Sequence, residues 1–216
     1  MVQKNLTISM VKKFIPSRKS SSHKGDNGRV LVVGGSYIYH GAPILASIAS
    51  LKSGTDLVYT CVPKINVSPT RTISPNLIVI PLVDQKLTRG AVNKLVGVLP
   101  KNLDSATIGM GLAIQERNSL LQLVKSLLDR DVRLSLDASA LVPEILPLLK
   151  NKNVVVTPHA GEFKHLFGES PSNTKVQRIK LVEKYAKNNG ITILLKGPTD
   201  IISNGKTTYL YEKKIP

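Results

Sequence analysis

The sequence predicts an α/β protein with a mainly parallel sheet, helices on both faces and a late β-hairpin. Short apolar runs rich in β-branched residues recur without polar alternation, which is typical of strands buried on both faces. Amphipathic helical patterns lie between several of these runs, as in consecutive strand–helix–strand units. The last two apolar runs flank an Asn-Gly pair, a strong local signal for a hairpin turn.

Seven apolar runs are predicted to form the strands of the parallel sheet. Residues 15–28 precede the first run and are rich in Ser, Gly and charged residues, so they are predicted to form a loop. In chain order, the seven runs are Val30–Val33, Leu57–Val62, Leu77–Ile80, Ala106–Ile108, Leu134–Leu136, Val154–Val156 and Ile191–Leu195.

Two later segments have the periodicity of an amphipathic helix. Apolar residues within 120–128 and within 176–186 recur three and four positions apart, which places each set on one helix face. The second segment ends at Asn188-Asn189-Gly190, a typical helix stop. Beyond it, residues 201–202 and 207–211 are predicted to pair as a hairpin around a two-residue turn at Asn204-Gly205.

Composition excludes several classes of protein. The chain has 216 residues, of which 42% are hydrophobic, enough for a buried core in one domain of ordinary size. Its single cysteine, Cys61, excludes an internal disulfide framework and a cysteine-based zinc site. No apolar run approaches the length of a membrane span, and the N-terminus lacks the apolar stretch of a signal peptide. We therefore expect a cytoplasmic protein with no membrane contact and no protein-held metal.

The charge balance favours anionic partners. Thirty Lys and Arg against fourteen Asp and Glu give a formal charge of +16. An aromatic content of 4% without tryptophan leaves few stacking platforms for nucleic acid, and the basic residues are spread along the chain. We expect a solvated basic surface and binding of phosphorylated small molecules, with no nucleic-acid partner.

Candidate site residues follow the predicted strands. In open α/β sheets, ligands bind beyond the carboxyl ends of the strands. Taken singly, these residues could be tight-turn glycines, a satisfied histidine, a helix-start acid or surface charge. Together they favour a binding site, and we expect Gly34, Gly35, Ala42, Gly111, His159 and Lys196 to surround one cleft. The strand ends deliver Gly34-Gly35-Ser36, Gly109-Met110-Gly111, Asp137, Thr157–Glu162 and Lys196–Asp200.

Several of these motifs resemble the NAD(P)H-hydrate dehydratases of the ribokinase-like superfamily. The resemblance runs from residue 23 to about residue 211. It rests most specifically on the loop before the first strand together with the Thr-Pro-His-Ala-Gly-Glu-Phe run. The matching segments are His23–Gly28, Gly34-Gly35-Ser36, Asp137–Leu141, Thr157–Phe163 and Leu195-Lys196-Gly197.

The resemblance implies a ribokinase-like fold and repair of hydrated NADH or NADPH by ADP- or ATP-dependent dehydration with Mg²⁺. The terminal phosphoryl group of the nucleotide activates the ring hydroxyl, and phosphate leaves as the double bond re-forms. Position by position, it assigns Ala42, Gly111, His159, Glu162 and Phe163 to the hydrated substrate. It assigns Lys196, Gly197, Thr199 and Asp200 to the nucleotide, with Gly34, Gly35 and Asp137 in support.

One motif of the family does not occur in these 216 residues. In the family, a Gly-Gly-Thr-Gly-Asp segment beyond the hairpin supplies the anion hole and the catalytic Asp, so no catalytic residue is assigned here. We therefore expect a dehydratase domain at residues 23–216 that is incomplete at its C-terminus, after an N-terminal extension at 1–22. We expect this chain alone to bind substrate without useful turnover. The resemblance also implies a homotetramer and an NAD(P)H-hydrate epimerase as a partner.

Three other functions stay open on the residues alone. A vitamin-precursor kinase would share the fold, although His159 and Glu162 in their motif argue against it. A nucleotide-binding protein without catalysis is favoured by the missing motif. A nucleic-acid binder is supported only by the net charge.

Overall fold

A computed structural model describes residues 2–212, which form strands alternating with helices. These residues fall into two compact units: residues 20–140, and residues 2–19 together with 141–212. We call them the 20–140 unit and the 141–212 unit. The strands are β1 Val2–Asn5, β2 Arg29–Val33, β3 Leu57–Pro63, β4 Leu77–Leu82, β5 Ser105–Ile108, β6 Arg133–Leu136, β7 Val154–Val156, β8 Thr192–Leu195, β9 Thr199–Ser203 and β10 Thr207–Glu212. The α-helices are α1 Ile8–Phe14, α2 Gly41–Lys52, α3 Val67–Ile73, α4 Arg89–Val98, α5 Arg117–Leu128, α6 Leu146–Leu149, α7 Ala160–Phe167 and α8 Lys175–Asn189.

The 20–140 unit contains a parallel sheet in the order β6-β5-β2-β3-β4. Three successive residues of β2, Leu31, Val32 and Val33, are fully buried. Because successive side chains of a strand point to opposite faces, both faces of the sheet are covered at this strand. Val32 and Val58 pack with partly buried apolar residues of α2 on one face. The predicted parallel sheet of buried strands is confirmed within this unit.

The 141–212 unit contains a mixed sheet in the order β1-β10-β9-β8-β7. Strands β7 and β8 are parallel, whereas β9 is antiparallel to both β8 and β10. The predicted hairpin is therefore present, but three residues, 204–206, separate its strands instead of two. The Oδ1 atom of Asn204 accepts hydrogen bonds from the N–H groups of Lys206 (3.0 Å) and Thr207 (2.9 Å), which stabilises this longer turn.

The N-terminal residues form regular structure that the sequence patterns did not predict. Strand β1 pairs in parallel with β10, and Thr7 caps α1 by accepting a hydrogen bond from the N–H of Met10. The loop predicted at 15–28 is confirmed, since it contains no helix or strand. The end of the predicted dehydratase domain, residues 213–216, lies outside the described residues. Within residues 2–212, no helix has the length and apolarity needed to cross a membrane.

Candidate functional site

Two adjacent glycines follow β2 in the 20–140 unit. The N–H of Gly34 donates to the carbonyl of Cys61 (3.2 Å), and that of Gly35 donates to the carbonyl of Met110 (2.9 Å). A Cβ atom on Gly34 would lie 2.6 Å from the Met110 carbonyl oxygen, and Gly35 has a φ of +86°. These positions therefore require glycine, which lets the turn after β2 touch the turn after β5.

The turn after β5 is tightly packed for the same reason. Gly109 has a φ of +119°, and a Cβ there would lie 1.9 Å from the carbonyl oxygen of Asp137. A Cβ on Gly111 would lie 2.7 Å from the Cβ of Tyr39. The N–H of Asp137 donates to the carbonyl of Ile108 (3.0 Å). The structure therefore brings Gly34, Gly35, Gly111 and Asp137 together at the carboxyl edge of this sheet, as predicted.

Ala42 lies in the first turn of α2, next to an exposed aromatic loop. The loop is held by two hydrogen bonds, from the N–H of Ser36 to the Tyr39 carbonyl (3.1 Å) and from the N–H of Tyr39 to Ser36 Oγ (3.1 Å). Tyr37 and Tyr39 are 68% and 65% exposed. Sequence reasoning missed this loop, although apolar residues at 37–39 between Gly-rich segments were a visible signal.

The motif at His23–Gly28 lies at the opposite end of the strands. The carboxylate Oδ2 of Asp56 accepts hydrogen bonds from the N–H groups of Gly25 (2.9 Å) and Asn27 (3.0 Å). This loop precedes β2, so it is held at the amino end of the sheet and not at the carboxyl edge. The most specific part of the resemblance therefore has a structural role here, with Asp56 as the partner that sequence reasoning missed.

His159 follows β7 in the 141–212 unit and caps α7. Its Nδ1 atom accepts hydrogen bonds from the N–H groups of Gly161 (3.0 Å) and Glu162 (3.3 Å). The N–H of His159 donates in return to Glu162 Oε2 (2.8 Å), completing a capping box. Since Nδ1 is an acceptor, the neutral imidazole carries its proton on Nε2, which lies 3.4 Å from Glu162 Oε1.

Lys196 follows β8, the parallel neighbour of β7, and lies beside the same carboxylate. Its N–H donates to the carbonyl of Pro158 (2.8 Å), and its Nζ lies 3.6 Å from Glu162 Oε2. The carboxyl ends of two adjacent strands thus bring His159, Glu162 and Lys196 into one polar cluster, as predicted for this edge.

The predicted nucleotide-binding turn connects β8 to β9. The N–H of Gly197 donates to Asp200 Oδ1 (2.9 Å), which closes the turn. Thr199 begins β9. A Cβ on Gly197 would lie 2.8 Å from Nη2 of Arg178 in α8, so this guanidinium packs directly against the turn. Sequence reasoning did not identify Arg178.

Phe163, which the resemblance assigns to the substrate pocket, lies on the inward face of α7. Its side chain is fully buried and packs against the rings of Phe167 (4.7 Å between centroids) and Tyr185 (5.6 Å). An apolar residue on the inward face of α7 is driven into the core by the hydrophobic effect. Its buried side chain therefore supports the helix that presents His159 and Glu162, and its part in shaping the substrate pocket stays a prediction.

The described residues contain neither a cluster of metal ligands nor a reactive thiol. Among residues 2–212, no three His, Cys, Asp or Glu side chains converge as metal ligands. Burial raises the pKa of the Cys61 thiol, which keeps it protonated and unreactive. The 20–140 and 141–212 units each carry their own share of the predicted site residues. That both shares line one cleft stays a prediction.

Comparison with known proteins identifies the family of this chain. A family model described as NAD(P)H-hydrate dehydratase matches residues 30–214. A Nitrosopumilus maritimus protein named ADP-dependent (S)-NAD(P)H-hydrate dehydratase is 81% identical over 216 residues, covering all of this chain and 75% of the relative. A Cenarchaeum symbiosum protein of the same name is 64% identical over 206 residues, covering 95% of this chain and 72% of the relative.

Solved structures of similar proteins have a similar fold. An ADP/ATP-dependent NAD(P)H-hydrate dehydratase from Bacillus subtilis, co-crystallised with ATP and Mg²⁺, has a TM-score of 0.80 and 25% identity, covering 96% of this chain and 72% of that one. A ribokinase-like superfamily protein from Enterococcus faecalis has a TM-score of 0.79 and 24% identity, covering 99% and 73%. The latter shows the fold, which confirms the ribokinase-like prediction. With a matching family model and relatives this similar, the chain belongs to the NAD(P)H-hydrate dehydratase family.

Proposed function

We propose that the protein restores hydrated NADH or NADPH by nucleotide-dependent dehydration. The reaction consumes the hydrate and ADP or ATP and yields NAD(P)H, phosphate and AMP or ADP. The observation that carries this proposal is the 81% identity, over all 216 residues, to a protein named as an ADP-dependent (S)-NAD(P)H-hydrate dehydratase.

The polar cluster of the 141–212 unit supports a role in binding the hydrated nicotinamide nucleotide. His159 holds Nδ1 in the helix cap, so its Nε2–H remains as the side-chain donor, and the imidazole is 59% exposed. Glu162 fixes the imidazole and is itself only 20% exposed. We propose that His159 donates to a polar group of the substrate while Glu162 orients it. Ala42 and Gly111 contribute close-packed surface without bulky side chains.

The turn from Lys196 to Asp200 supports a role in nucleotide binding. Lys196 provides a cation beside Glu162, and the Gly197 turn exposes backbone without a Cβ. Cations and backbone donors stabilise the charge of phosphoryl groups during transfer. The described residues form no dedicated metal cage, and Mg²⁺ is commonly held by substrate phosphates with one or two carboxylates. We propose that Mg²⁺ accompanies the nucleotide and neutralises the charge of its phosphates.

Four further expectations belong to this proposal. They are a homotetramer, an epimerase partner that interconverts the epimers of the hydrate, a cytoplasmic location, and a dehydratase domain at 23–216. The Gly-Gly-Thr-Gly-Asp motif, from which the resemblance implies the catalytic acid, does not occur in these 216 residues. Binding and turnover must therefore be tested separately.

Direct titration tests the binding half of the proposal. Hydrated NADPH added to the chain should bind saturably in isothermal titration calorimetry, and a second titration with ADP should do the same. A vitamin-precursor alcohol serves as the comparison, since a kinase of this fold would bind it. Binding of the alcohol without binding of the hydrate would contradict the proposal.

A further inference from the structure

A buried guanidinium nitrogen without a partner lies near the start of α8. Among the described residues, the Nη2 atom of Arg178 is shielded from solvent and makes no hydrogen bond. Leaving a buried cationic donor unpaired is costly, so folded proteins supply such groups with an acceptor. An acceptor for this nitrogen would have to be a water molecule or a ligand that reaches it through a small local movement.

A small cavity lies beside this guanidinium. Its volume is about 140 Å³, several times the share of roughly 30 Å³ that one water occupies in the liquid. It lies between the start of α8 and the start of β9. The lining residues are Asn173, Lys175, Arg178, Pro198, Thr199 and Ile201.

The charges around the cavity favour an anion. Lys175 and Arg178 contribute two cations, and Asn173 and Thr199 contribute neutral polar groups. Glu212 Oε1 lies 2.6 Å from Lys175 Nζ and offsets that charge, so the net positive charge of the lining comes from Arg178, while Asp200 Oδ1 accepts from the N–H of Gly197. The positive end of the 15-residue helix α8 adds to the attraction.

Gly197 joins this cavity to the predicted nucleotide-binding turn. A Cβ at Gly197 would lie 2.8 Å from Arg178 Nη2, so only glycine lets the turn approach the guanidinium without displacing it. Arg178 is thus in contact with the backbone that the nucleotide proposal already uses. A planar guanidinium is also the side chain best suited to oxygen pairs of a phosphate.

We propose that this cavity binds a phosphate-class oxyanion and that Arg178 is its principal donor. The oxyanion is either a phosphoryl group of the adenine nucleotide, in which case this inference rests on the proposed function, or inorganic phosphate. Both present the same tetrahedral set of acceptor oxygens. This gives Arg178 a binding role that neither the sequence motifs nor the resemblance assigns to it.

Calorimetric titration of Arg178→Gln against the unsubstituted chain tests the proposal. Inorganic phosphate, ADP and adenosine are titrated separately, and Arg133→Gln, which removes an exposed arginine in β6, is the matched control. We expect Arg178→Gln to weaken the binding of phosphate and of ADP about tenfold or more and to leave the affinity for adenosine unchanged. Arg133→Gln should leave all three affinities unchanged.

A second variant, Gly197→Ala, tests the site independently in case Arg178→Gln does not fold. Its added methyl group crowds Nη2 without removing the charge, so phosphate binding should weaken in a chain that retains Arg178. Loss of phosphate binding with unchanged ADP binding identifies inorganic phosphate as the ligand and still supports the site. The proposal is wrong if both variants bind phosphate and ADP as tightly as the unsubstituted chain does. It is also wrong if the unsubstituted chain binds neither ligand. None of these titrations depends on turnover of hydrated NADPH, so the two proposals fail separately.

Discussion

His159 and Glu162 cap each other at the start of α7. The imidazole Nδ1 accepts from the N–H of Glu162 at 3.3 Å, and the N–H of His159 donates to Glu162 Oε2 at 2.8 Å. The same contacts that begin the helix also fix the orientation of an exposed imidazole at the carboxyl end of β7. The capping role and the proposed ligand-binding role therefore coincide in one side chain.

Two substitutions of His159 should separate these roles. His159→Ala removes the cap and should lower the free energy of unfolding by about 1 kcal/mol. His159→Asn retains a good N-cap and should keep that stability, yet it removes the imidazole donor. We expect both variants to lose affinity for hydrated NADPH, measured by calorimetry beside urea denaturation. Normal binding by His159→Asn would show that the imidazole is only a cap.

Lys196 should contribute to nucleotide affinity through its charge. A charge-assisted hydrogen bond is worth about 1.5 kcal/mol or more, so Lys196→Met should weaken ADP binding roughly tenfold. Lys164→Met, on the exposed face of α7, removes the same charge away from the cluster and is the control. Equal losses of ADP affinity in both variants would show that the effect comes from the net charge of the protein and not from the position of Lys196.

Phe163 should matter for stability and not for direct substrate contact. Truncating this fully buried ring in Phe163→Ala should cost about 3–5 kcal/mol in chemical denaturation. Phe14→Ala removes a ring that is 69% exposed and should change stability by less than about 0.5 kcal/mol. If Phe163→Ala folds stably but binds hydrated NADPH more weakly, the Phe163 side chain contributes directly to the substrate pocket.

Two glycines should respond in opposite directions to alanine. Gly109→Ala forces a methyl group into the Asp137 carbonyl at a φ that disfavours side chains, so it should unfold or strongly destabilise the chain. Gly97→Ala, in helix α4 with open space around it, should stabilise by about 0.5–1 kcal/mol. Thermal melting of the two variants measures both effects, and a stable Gly109→Ala chain would contradict the packing described.

Local patterns predicted the strands from β2 onward, helices α5 and α8 and the strand-end residues, because each depends on short-range periodicity. They did not predict the roles of Asp56 or Arg178, because Gly25, which donates to Asp56, and Gly197, which lies against Arg178, are distant from them in sequence. The resemblance assigned Phe163 to the substrate pocket by its position in a motif, which does not give the direction of a side chain, and the structure shows this side chain to be buried. The extra residue in the hairpin turn likewise depends on the side chain of Asn204, which accepts two backbone hydrogen bonds.

Recovery of NADPH from its hydrate tests the central claim most directly. The reaction is followed by NADPH absorbance with and without ADP or ATP and Mg²⁺, using this chain and a form joined to a segment with the Gly-Gly-Thr-Gly-Asp motif. The resemblance implies that the Gly-Gly-Thr-Gly-Asp segment supplies an acid and an anion-hole donor, each worth about 10²-fold or more, so we expect the 216 residues assayed without it to stay near the uncatalysed rate. The joined form should produce NADPH and phosphate in equal amounts, only when nucleotide is present. Failure of the joined form to produce NADPH, or production without nucleotide, would contradict the account.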